Sequence, residues 1–363
     1  MLAELCDKGS SSLAQKDLVF NSGIYPVYGA SGEITKVDFF HQSKPYLGLI
    51  KDGAGVGRVM QLPANSSVIG TIQYIFPREN VDLRYLYYLI KYLELGKSNT
   101  GATIPHIYFK DYKKRKVKFR AYSEQRHIGQ ILELIDNQLT TYNNILEQYD
   151  LLIKSRFVEI FGNPIINDKK YPVFKLKDIS QKIGSGVTPR GGDSNYIDKG
   201  VAFIRSMNVY NNTFKKDNLV YIDKSLAKQL SQVELFSNDL LLNITGASVA
   251  RCCIVPDDIL PARVNQHVCI IRQCRISNVF LEYCLTNESY QEYLLLLSNK
   301  NGATREALTK AQVENLEVIF PPLTEITRFV RLVHQINKLK SDVQKSIDET
   351  QLLMDSLMQE YFG

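Results

Sequence analysis

The sequence has no tryptophan, only six cysteines among 363 residues, and no run of apolar residues as long as a membrane helix. A bilayer-spanning helix takes about 20 apolar residues, so we expect no membrane protein. The cysteines form no Cys-x-x-Cys pair, which argues against a disulfide framework or a zinc site. No basic segment followed by an apolar one opens the sequence, so we expect no secretory signal. A reducing cytoplasm is the expected location, with the cysteines acting as small apolar side chains.

Motifs of known catalytic sites are also missing. GKS at Gly96–Ser98 ends like a phosphate-binding loop, but Lys91 stands where the opening glycine is needed. GAGVG at Gly53–Gly57 lacks the GxGxxG spacing and lies between two expected strands, so it predicts a tight turn. NPI at Asn163–Ile165 is not the NPP-aromatic motif of an amino-group methyltransferase, and the five histidines are scattered singly. We therefore expect no catalytic residues, no metal site and no bound cofactor.

The sequence does contain an internal repeat. Gly101–Phe119 aligns with Gly302–Phe320 at an offset of 201, and this offset holds without a gap to the end of the chain. Asp52–Arg58 (DGAGVGR) resembles Thr245–Arg251 (TGASVAR) at an offset of 193. Self-similarity at a fixed offset predicts one structural unit written twice, head to tail.

Each copy contains a long segment whose apolar residues alternate at spacings of four and three, as in the seam of a coiled coil. The first seam consists of Ile128, Leu132, Ile135, Leu139, Tyr142, Leu146, Tyr149 and Ile153. The second consists of Phe329, Val333, Ile336, Val343, Ile347 and Met354. Lys340 and Thr350 interrupt the second seam, and a polar seam residue usually fixes register. We expect the two helices to pair, as a rod of ~50 Å at ~1.5 Å per residue.

The remaining segments predict mixed α+β globular parts. Short β-branched runs bounded by turn residues predict strands that start near Tyr46, Gly57, Gly70, Leu219, Asp239, Arg251 and His267. Short helices are expected from Arg84 and Asn278. The predicted order is a globular domain at 1–121, a helix at 122–163, a second domain at 164–322 and a second helix at 323–363.

Charge is divided between these segments. Residues 1–121 carry 17 basic and 10 acidic side chains, and residues 164–322 carry 19 and 16. The helical segments are slightly acidic, with 3 basic and 6 acidic residues at 122–163 and 5 and 6 at 323–363. The densest basic cluster is KDYKKRKVKFR at Lys110–Arg120, which is typical of phosphate contact. Its alternative interpretation is a solvated strand edge protected by lysines.

Several motifs together resemble the specificity (S) subunit of type I restriction–modification systems. In the first copy they are PVYGASGEI from Pro26, TGATIPHI from Thr100 and YSEQRHIGQILELIDNQL from Tyr122. In the second copy they are SGVTPRGG from Ser185, FIRSMNV from Phe203, NITGAS from Asn243, NQHVCII from Asn265, NGATREAL from Asn301 and FPPLTE from Phe320. Two departures stand at the helix starts, Arg120-Ala121 in place of a proline pair and Thr324-Glu325-Ile326 in place of Ser-Glu-Gln.

The resemblance implies two target recognition domains separated by an antiparallel coiled coil of two long helices, with pseudo-two-fold symmetry. Each domain would read one half of a split DNA target, and the helices would measure the unread spacer. The resemblance also implies partners: double-stranded DNA, two methylation (M) subunits that carry AdoMet, and restriction (R) subunits. The chain itself would be the non-catalytic recognition subunit.

Base readout requires polar side chains on loops. Our candidates in the second domain are Thr188, Arg190, Arg205 and Asn208, and in the first they are Lys16, Ser31, Lys51 and His106. The candidates for phosphate contact are Lys110, Lys113, Lys114, Arg115, Lys116 and Lys118. Three alternatives stay open: a specificity subunit of a methylase-only system, a self-contained DNA-processing enzyme, and a coiled-coil scaffold that binds protein only.

Overall fold

The structure is a computed structural model that describes residues 1–18, 22–98, 105–272, 274–299 and 306–363. It contains two compact units: unit 1 is Met1–Ile145 with Asp342–Gly363, and unit 2 is Leu146–Ser341. Each unit therefore includes a globular part together with a portion of both long helices, whereas the sequence-based domain limits keep the helices apart. Those limits stay a prediction. Among the described residues, no helix is both long and apolar enough to cross a membrane.

Unit 1 contains two small sheets. Its strands are β1 Cys6–Ser10, β2 Tyr25–Gly29, β3 Gly32–Val37, β4 Tyr46–Ile50, β5 Val59–Leu62, β6 Ser67–Val68 and β7 Ile72–Pro77. Its helices are α1 Leu83–Tyr92, α2 Phe109–Tyr112 and the first part of α3 Tyr122–Phe161. One sheet has the order β1-β7-β4-β5 and the other β3-β2-β6.

Unit 2 repeats these two sheets and adds two short strand pairs. Its strands are β8 Val173–Lys175, β9 Lys182–Ser185, β10 Val201–Ile204, β11 Val209–Tyr210, β12 Thr213–Phe214, β13 Val220–Ile222, β14 Leu240–Asn243, β15 Cys252–Ile254, β16 Ala262–Val264, β17 Val268–Arg272 and β18 Glu317–Ile319. Its helices are α4 Leu176–Ile179, α5 Lys224–Gln229, α6 Asn278–Leu285, α7 Glu288–Asn299, α8 Lys310–Glu314 and the first part of α9 Leu323–Phe362. The order β9-β17-β14-β15 matches β1-β7-β4-β5, and β13-β10-β16 matches β3-β2-β6.

The expected strands and short helices are confirmed, and so is the repeat. In both units the central strand of the three-stranded sheet pairs with one neighbour antiparallel and with the other parallel. A side-chain cap begins the equivalent helices α1 and α6 of the two copies. Asp82 accepts hydrogen bonds from the backbone of α1, and Ser277 accepts one from the backbone of α6. Such caps satisfy amide groups that a helix start leaves without partners.

The last turns of the long helices complete the two cores. In unit 1, Met354, Met358 and Phe362 of α9 pack with Ile128 of α3, and the Phe362 ring lies 5.3 Å from the Tyr85 ring of α1. In unit 2, the end of α3 does the same against the start of α9. The Phe161 ring lies 4.9 Å from Phe280 of α6 and 5.5 Å from Phe329 of α9. Within each unit, the end of one helix thus packs beside the start of the other, so the pairing is antiparallel.

The two helix starts use different chemistry at one equivalent position. Gln125 of α3 is fully buried, and its amide accepts from Asp82 N at 3.1 Å and donates to Arg120 O at 2.9 Å. Ile326, the residue 201 positions later, is 2% exposed and packs in the apolar core of unit 2. At the start of α9, apolar packing of Ile326 therefore takes the place of the hydrogen bonds that Gln125 makes at the start of α3.

The seam residues line the buried side of both helices. All of them are buried or half-buried, whereas leucines at neighbouring positions, such as Leu134 and Leu352, are 70% and 72% exposed. The polar seam residue Lys340 donates to Asp150 on α3 at 2.6 Å. Lys340 thus has an oppositely charged partner on the other helix at this point of the seam. Such a pair is expected of a polar seam residue that sets the register of two helices.

The seam predicts effects of very different size for two leucines on the same helix. Leu132→Ala removes a fully buried side chain and should lower the free energy of unfolding of unit 1 by roughly 2–5 kcal/mol. Leu134→Ala should change it by less than about 0.5 kcal/mol, because that side chain is 70% exposed. Hydrogen exchange of the unit 1 strands in denaturant measures both values. Equal losses would contradict the assignment of the seam.

A buried carboxyl group lies beneath the edge of the four-stranded sheet of unit 2. Glu282 of α6 accepts a hydrogen bond from Ile254 N at 3.2 Å, and its burial raises the pKa of the carboxyl group to about 8. The folded state therefore favours the protonated form more than the unfolded state does. It follows that this group favours folding at low pH and that its contribution is lost as pH rises from about 4.5 through about 8.

Glu282→Gln should remove this pH dependence, because the amide keeps an acceptor for Ile254 N without a charge. Between pH 5 and 8.5 we expect wild-type unit 2 to lose on the order of 2–4 kcal/mol more stability than the variant. Denaturant unfolding at several pH values, followed through hydrogen exchange of β14 and β17, measures the difference. Glu292→Gln, at an exposed position of α7, is the control. A variant curve parallel to wild type would contradict the burial of a neutral Glu282.

Candidate nucleic-acid interface

In unit 2, four loops meet at one end of the two sheets. They are residues 186–190 after β9, 205–208 after β10, 244–248 after β14 and 265–267 after β16, and we call them together the loop end of unit 2. Backbone hydrogen bonds join them. Gly186 N donates to Val268 O at 2.9 Å, and Asn265 N donates to Ile204 O at 3.0 Å. Each of the four loop segments overlaps a separate motif that the sequence analysis identified.

Side chains at the loop end of unit 2 also bind one another. Thr188 Oγ1 accepts from Gln266 N at 3.4 Å, and Thr245 Oγ1 lies 2.6 Å from His267 Nδ1. Arg190 is exposed, and its carbonyl oxygen accepts from Asn195 Nδ2 at 2.9 Å. The bond to Asn195 fixes the backbone of the loop and leaves the Arg190 guanidinium at the surface. The structure therefore brings the predicted readers Thr188 and Arg190 together on a braced platform.

The two remaining candidates of unit 2 brace the loop between β10 and β13. Arg205 is half-buried, lies 5.4 Å from the Tyr196 ring and donates to Asn218 O at 2.7 Å. Asn208 has no exposed surface; its side chain accepts from Arg205 N at 3.0 Å and donates to Lys215 O at 3.0 Å. This corrects the expectation for Asn208, because a buried amide whose donor and acceptor are used by the backbone is not presented to a base edge.

Unit 1 has an equivalent loop end. It consists of residues 11–16, 30–31, 51–54, 69–71 and 105–106. The same backbone hydrogen bonds hold it: Ile69 N donates to Tyr28 O at 3.0 Å, as Asn265 N does to Ile204 O. Lys51 N donates to Thr71 O at 3.0 Å, and in unit 2 Ile244 N donates to His267 O at 2.9 Å. Lys16, Ser31, Lys51 and His106 all belong to this loop end or adjoin it.

Two of the unit 1 candidates share a carboxylate. Asp52 Oδ1 is hydrogen-bonded to His106 Nδ1, and Asp52 Oδ2 lies 3.6 Å from Lys51 Nζ. All three side chains are about a quarter exposed. The arrangement combines donors with an acceptor, which is the mixture needed to distinguish base edges in a major groove. Sequence reasoning selected Lys51 and His106 but missed Asp52.

A shallow groove of about 560 Å³ lies beside one of the other two candidates. Ser31 lines it together with Gln15, Arg58 and Thr71, whereas Lys16, the residue after Gln15, is exposed but does not line it. The Arg58 guanidinium donates to Ala30 O, the carbonyl beside Ser31. Arg58 is exposed and was also missed in the sequence, although the alignment of DGAGVGR with TGASVAR marks it.

The turn that ends at Arg58 recurs almost bond for bond in unit 2. Gly53 N donates to Pro105 O at 3.0 Å, and Gly246 N donates to Glu306 O at 2.9 Å. Gly57 N and Ala250 N donate to the ends of the preceding strands at 2.8 and 2.9 Å, with φ of +87° and +72°. GAGVG is therefore the tight turn that the sequence predicts. The GAT segments themselves, residues 101–103 and 302–304, lie outside the described residues.

The basic cluster begins next to the loop end of unit 1. The His106 and Tyr108 rings are 4.0 Å apart, and Lys110 Nζ lies 5.1 Å from the Tyr108 ring. The chain then forms the single turn α2, and residues 113–121 belong to no strand, which excludes a strand edge as their explanation. Their backbone is held by Leu2 N, which donates to Arg115 O at 2.9 Å. The exposed members are Lys110, Lys114, Arg115, Lys116 and Lys118, while Lys113 is half-buried.

Among the residues that the structure describes, no three His, Cys, Asp or Glu side chains lie close enough together to bind a metal ion. The cysteines are free thiols, and burial raises the pKa of Cys253 and Cys284 far above that of an exposed thiol. The polar chemistry at both loop ends is thus hydrogen bonding and positive charge, which suits recognition of nucleic acid.

Comparison with known proteins identifies the family. A model of the type I restriction modification DNA specificity domain matches residues 1–148 and 168–352, one match for each copy of the repeat. The chain belongs to this family. The specificity subunit of type I restriction enzyme MjaIX from Methanocaldococcus jannaschii is 24% identical over 306 residues, which cover 78% of this chain and 69% of that protein.

A further relative and two solved structures also match. The specificity subunit of type I restriction enzyme EcoBI from Escherichia coli is 25% identical over 230 residues, which span 62% of this chain and 44% of that protein. Among solved structures, the S subunit from M. genitalium aligns over 100% of this chain and 95% of its own with a TM-score of 0.64 at 14% identity. A chain from a type I R-M complex aligns with a TM-score of 0.53 at 15% identity, over 99% of this chain and 96% of its own. These structural likenesses show a shared fold.

The turn before Arg58 predicts a difference between two glycines of this family member. A Cβ atom at Gly57 would lie 2.1 Å from Gly96 N, whereas a Cβ at Gly53 would meet nothing within 4 Å; both have positive φ. Gly57→Ala should therefore destabilise unit 1 by on the order of 2–4 kcal/mol, and Gly53→Ala by about 1 kcal/mol. Denaturant unfolding of both variants tests this. Equal destabilisation would mean that positive φ alone restricts Gly57.

Proposed function

We propose that this chain selects the DNA target of a type I restriction–modification enzyme, with the loop end of each unit reading one half of a split sequence. The observation that carries the proposal is a pair of loop ends built on the same hydrogen-bonded frame but lined by different polar side chains. The same backbone arrangement with different polar side chains allows a protein to read two unrelated half-sites in the same manner. The double match to the family model supports this.

The readout we propose uses few residues in each half. In unit 2, exposed Arg190 supplies the two-pronged donor that suits guanine, and Thr188 and His267 lie on the platform beside it. In unit 1, Lys51, His106 and Ser31 contribute, together with Asp52, which can accept from a cytosine amino group. The basic cluster from Lys110 contacts phosphates, which positions the duplex without specifying its sequence.

We further propose that catalysis resides in partner subunits: two methylation subunits, which carry AdoMet, and restriction subunits where the system has them. Apolar side chains at the outer faces of the helices, including Leu134, Leu151, Leu339 and Leu352, are 40% exposed or more. Exposed leucines on slightly acidic helices favour a protein partner over DNA. Because its target is cellular DNA, the complex would act in the cytoplasm.

The decisive experiment is to purify the chain with its methylation subunits and to map modified adenines in the DNA they have acted on. We expect one split sequence with an unread spacer. Adenine modification without any sequence preference, or with a continuous target, would overturn the proposal. A methylase-only system would give the same map and would lack a restriction subunit in the purified complex.

Two side chains should separate base readout from phosphate contact. Arg190→Ala should reduce discrimination at one base pair by about 1–3 kcal/mol, and Arg190→Lys should do nearly the same although it keeps the charge. Lys114→Ala should weaken binding to all duplexes evenly and reduce the salt dependence by about one phosphate contact. Affinities for a panel of duplexes at several salt concentrations measure this. Identical profiles for the Arg190 and Lys114 variants would contradict the division of roles.

A further inference from the structure

The matched sheets identify one pair of equivalent connectors. In unit 1, β2 pairs antiparallel with β3 and parallel with β6; in unit 2, β10 pairs in the same senses with β13 and β16. The connector from β2 to β3 is only Ala30 and Ser31. The connector from β10 to β13 is residues 205–219, which include the β11–β12 hairpin. Predicted readers lie on both connectors, Ser31 on one and Arg205 on the other.

Each connector is contacted by an arginine at the equivalent place in its unit. In unit 1, Arg58 ends the turn after β4 and donates from its guanidinium to Ala30 O. In unit 2, Arg251 ends the same turn after β14 and lies over the Tyr210 ring at 4.4 Å. Arg58 N and Arg251 N donate to the equivalent turn carbonyls, Gly55 O at 3.0 Å and Ser248 O at 3.3 Å.

The longer connector needs more support, and the structure supplies it around the same arginine. Lys215 Nζ lies 4.2 Å from the Tyr210 ring, so this ring has a cation from its own connector and a second from the turn. Cation–π contacts of this kind stabilise by about 0.5–2 kcal/mol, depending on burial. At the base of the connector, Arg205 donates to Asn218 O at 2.7 Å. The Arg251–Tyr210 contact therefore acts together with two hydrogen bonds, from Asn212 N to Cys252 O at 3.0 Å and from Cys252 N to Asn211 Oδ1 at 3.1 Å, to hold the connector beside β15.

We propose that Arg58 and Arg251 are equivalent positioning residues, each of which holds a connector at the loop end that reads one half of the DNA target. This rests on the proposed function and adds two residues that position its loop ends. The two arginines act through different contacts, a carbonyl in unit 1 and an aromatic ring in unit 2, because the connectors differ in length. An arginine at the equivalent position allows each unit to hold a connector of different length on the same pattern of paired strands.

The test uses the chain in complex with its methylation subunits and a panel of duplexes, each with one base pair changed in one half-site. Arg58→Ala should reduce discrimination about tenfold in one half-site and leave the other unchanged. Arg251→Ala should do the reverse. Arg58→Lys should retain much of the discrimination, because an ammonium group can still donate to Ala30 O, whereas a direct two-pronged reader would lose it.

Tyr210 supplies the matched control for Arg251. Tyr210→Leu should reproduce the half-site loss of Arg251→Ala, and Tyr210→Phe, which keeps the ring, should resemble wild type. Hydrogen exchange should be unchanged at β4 and β7 in the Arg58 variants and at β14 and β17 in the Arg251 and Tyr210 variants, which separates a displaced connector from a destabilised sheet. Equal weakening of every duplex by Arg58→Ala and Arg251→Ala, or loss in both half-sites from either one, would overturn the inference. A wild-type complex without any discrimination would overturn the proposed function instead.

Discussion

The structure depends on the antiparallel exchange of helix ends between the two copies of the repeat. The last turn of α9 fills the core of unit 1, where Phe362 packs against Tyr85, and the last turn of α3 fills the core of unit 2, where Phe161 packs against Phe280. These contacts join residues far apart in the chain, and most of the participating rings are nearly or fully buried. Burial of a large aromatic side chain stabilises by about 1.5–3 kcal/mol, so neither globular part has a complete core without the helix of the other copy. Each globular part therefore needs the last turns of the other copy's helix to complete its core.

Much of this architecture could be predicted, because its signals are local or periodic. The seam follows from spacings of four and three, and the strands at Tyr46 and Asp239 follow from short β-branched runs between turn residues. The pairing of loops at one end could not be predicted in this way, because it depends on which strands become neighbours. Asn208 shows the limit most clearly: a bracing asparagine buried inside a loop and a reading asparagine on its surface have the same local sequence signal. Asp52 was missed for the related reason that its partners, Lys51 and His106, meet only after β4 has been placed beside residues 105–107.

The two copies differ in the length of a surface connector, where a difference costs the fold little stability. The three-stranded sheet keeps its pairing whether its connector is Ala30-Ser31 or residues 205–219, because the longer connector folds on itself as the β11–β12 hairpin and satisfies its own backbone through Asn208 and Arg205. Long surface insertions cost little in closure entropy. A frame of this kind can change what it reads without a change in what holds it together.

Basic side chains are distributed differently in unit 1 and unit 2. In unit 1, Lys51 and His106 both contact Asp52, and the dense basic cluster begins nearby at Lys110, beyond the adjacent rings of His106 and Tyr108. In unit 2, Arg190 carries its charge on the loop end, and no cluster of comparable density occurs in that part of the sequence. On the function proposed above, unit 1 should supply the larger share of binding strength, because phosphate contacts dominate affinity and its salt dependence. Because an arginine that projects from a braced loop favours geometric readout, unit 2 should supply the sharper discrimination per contact.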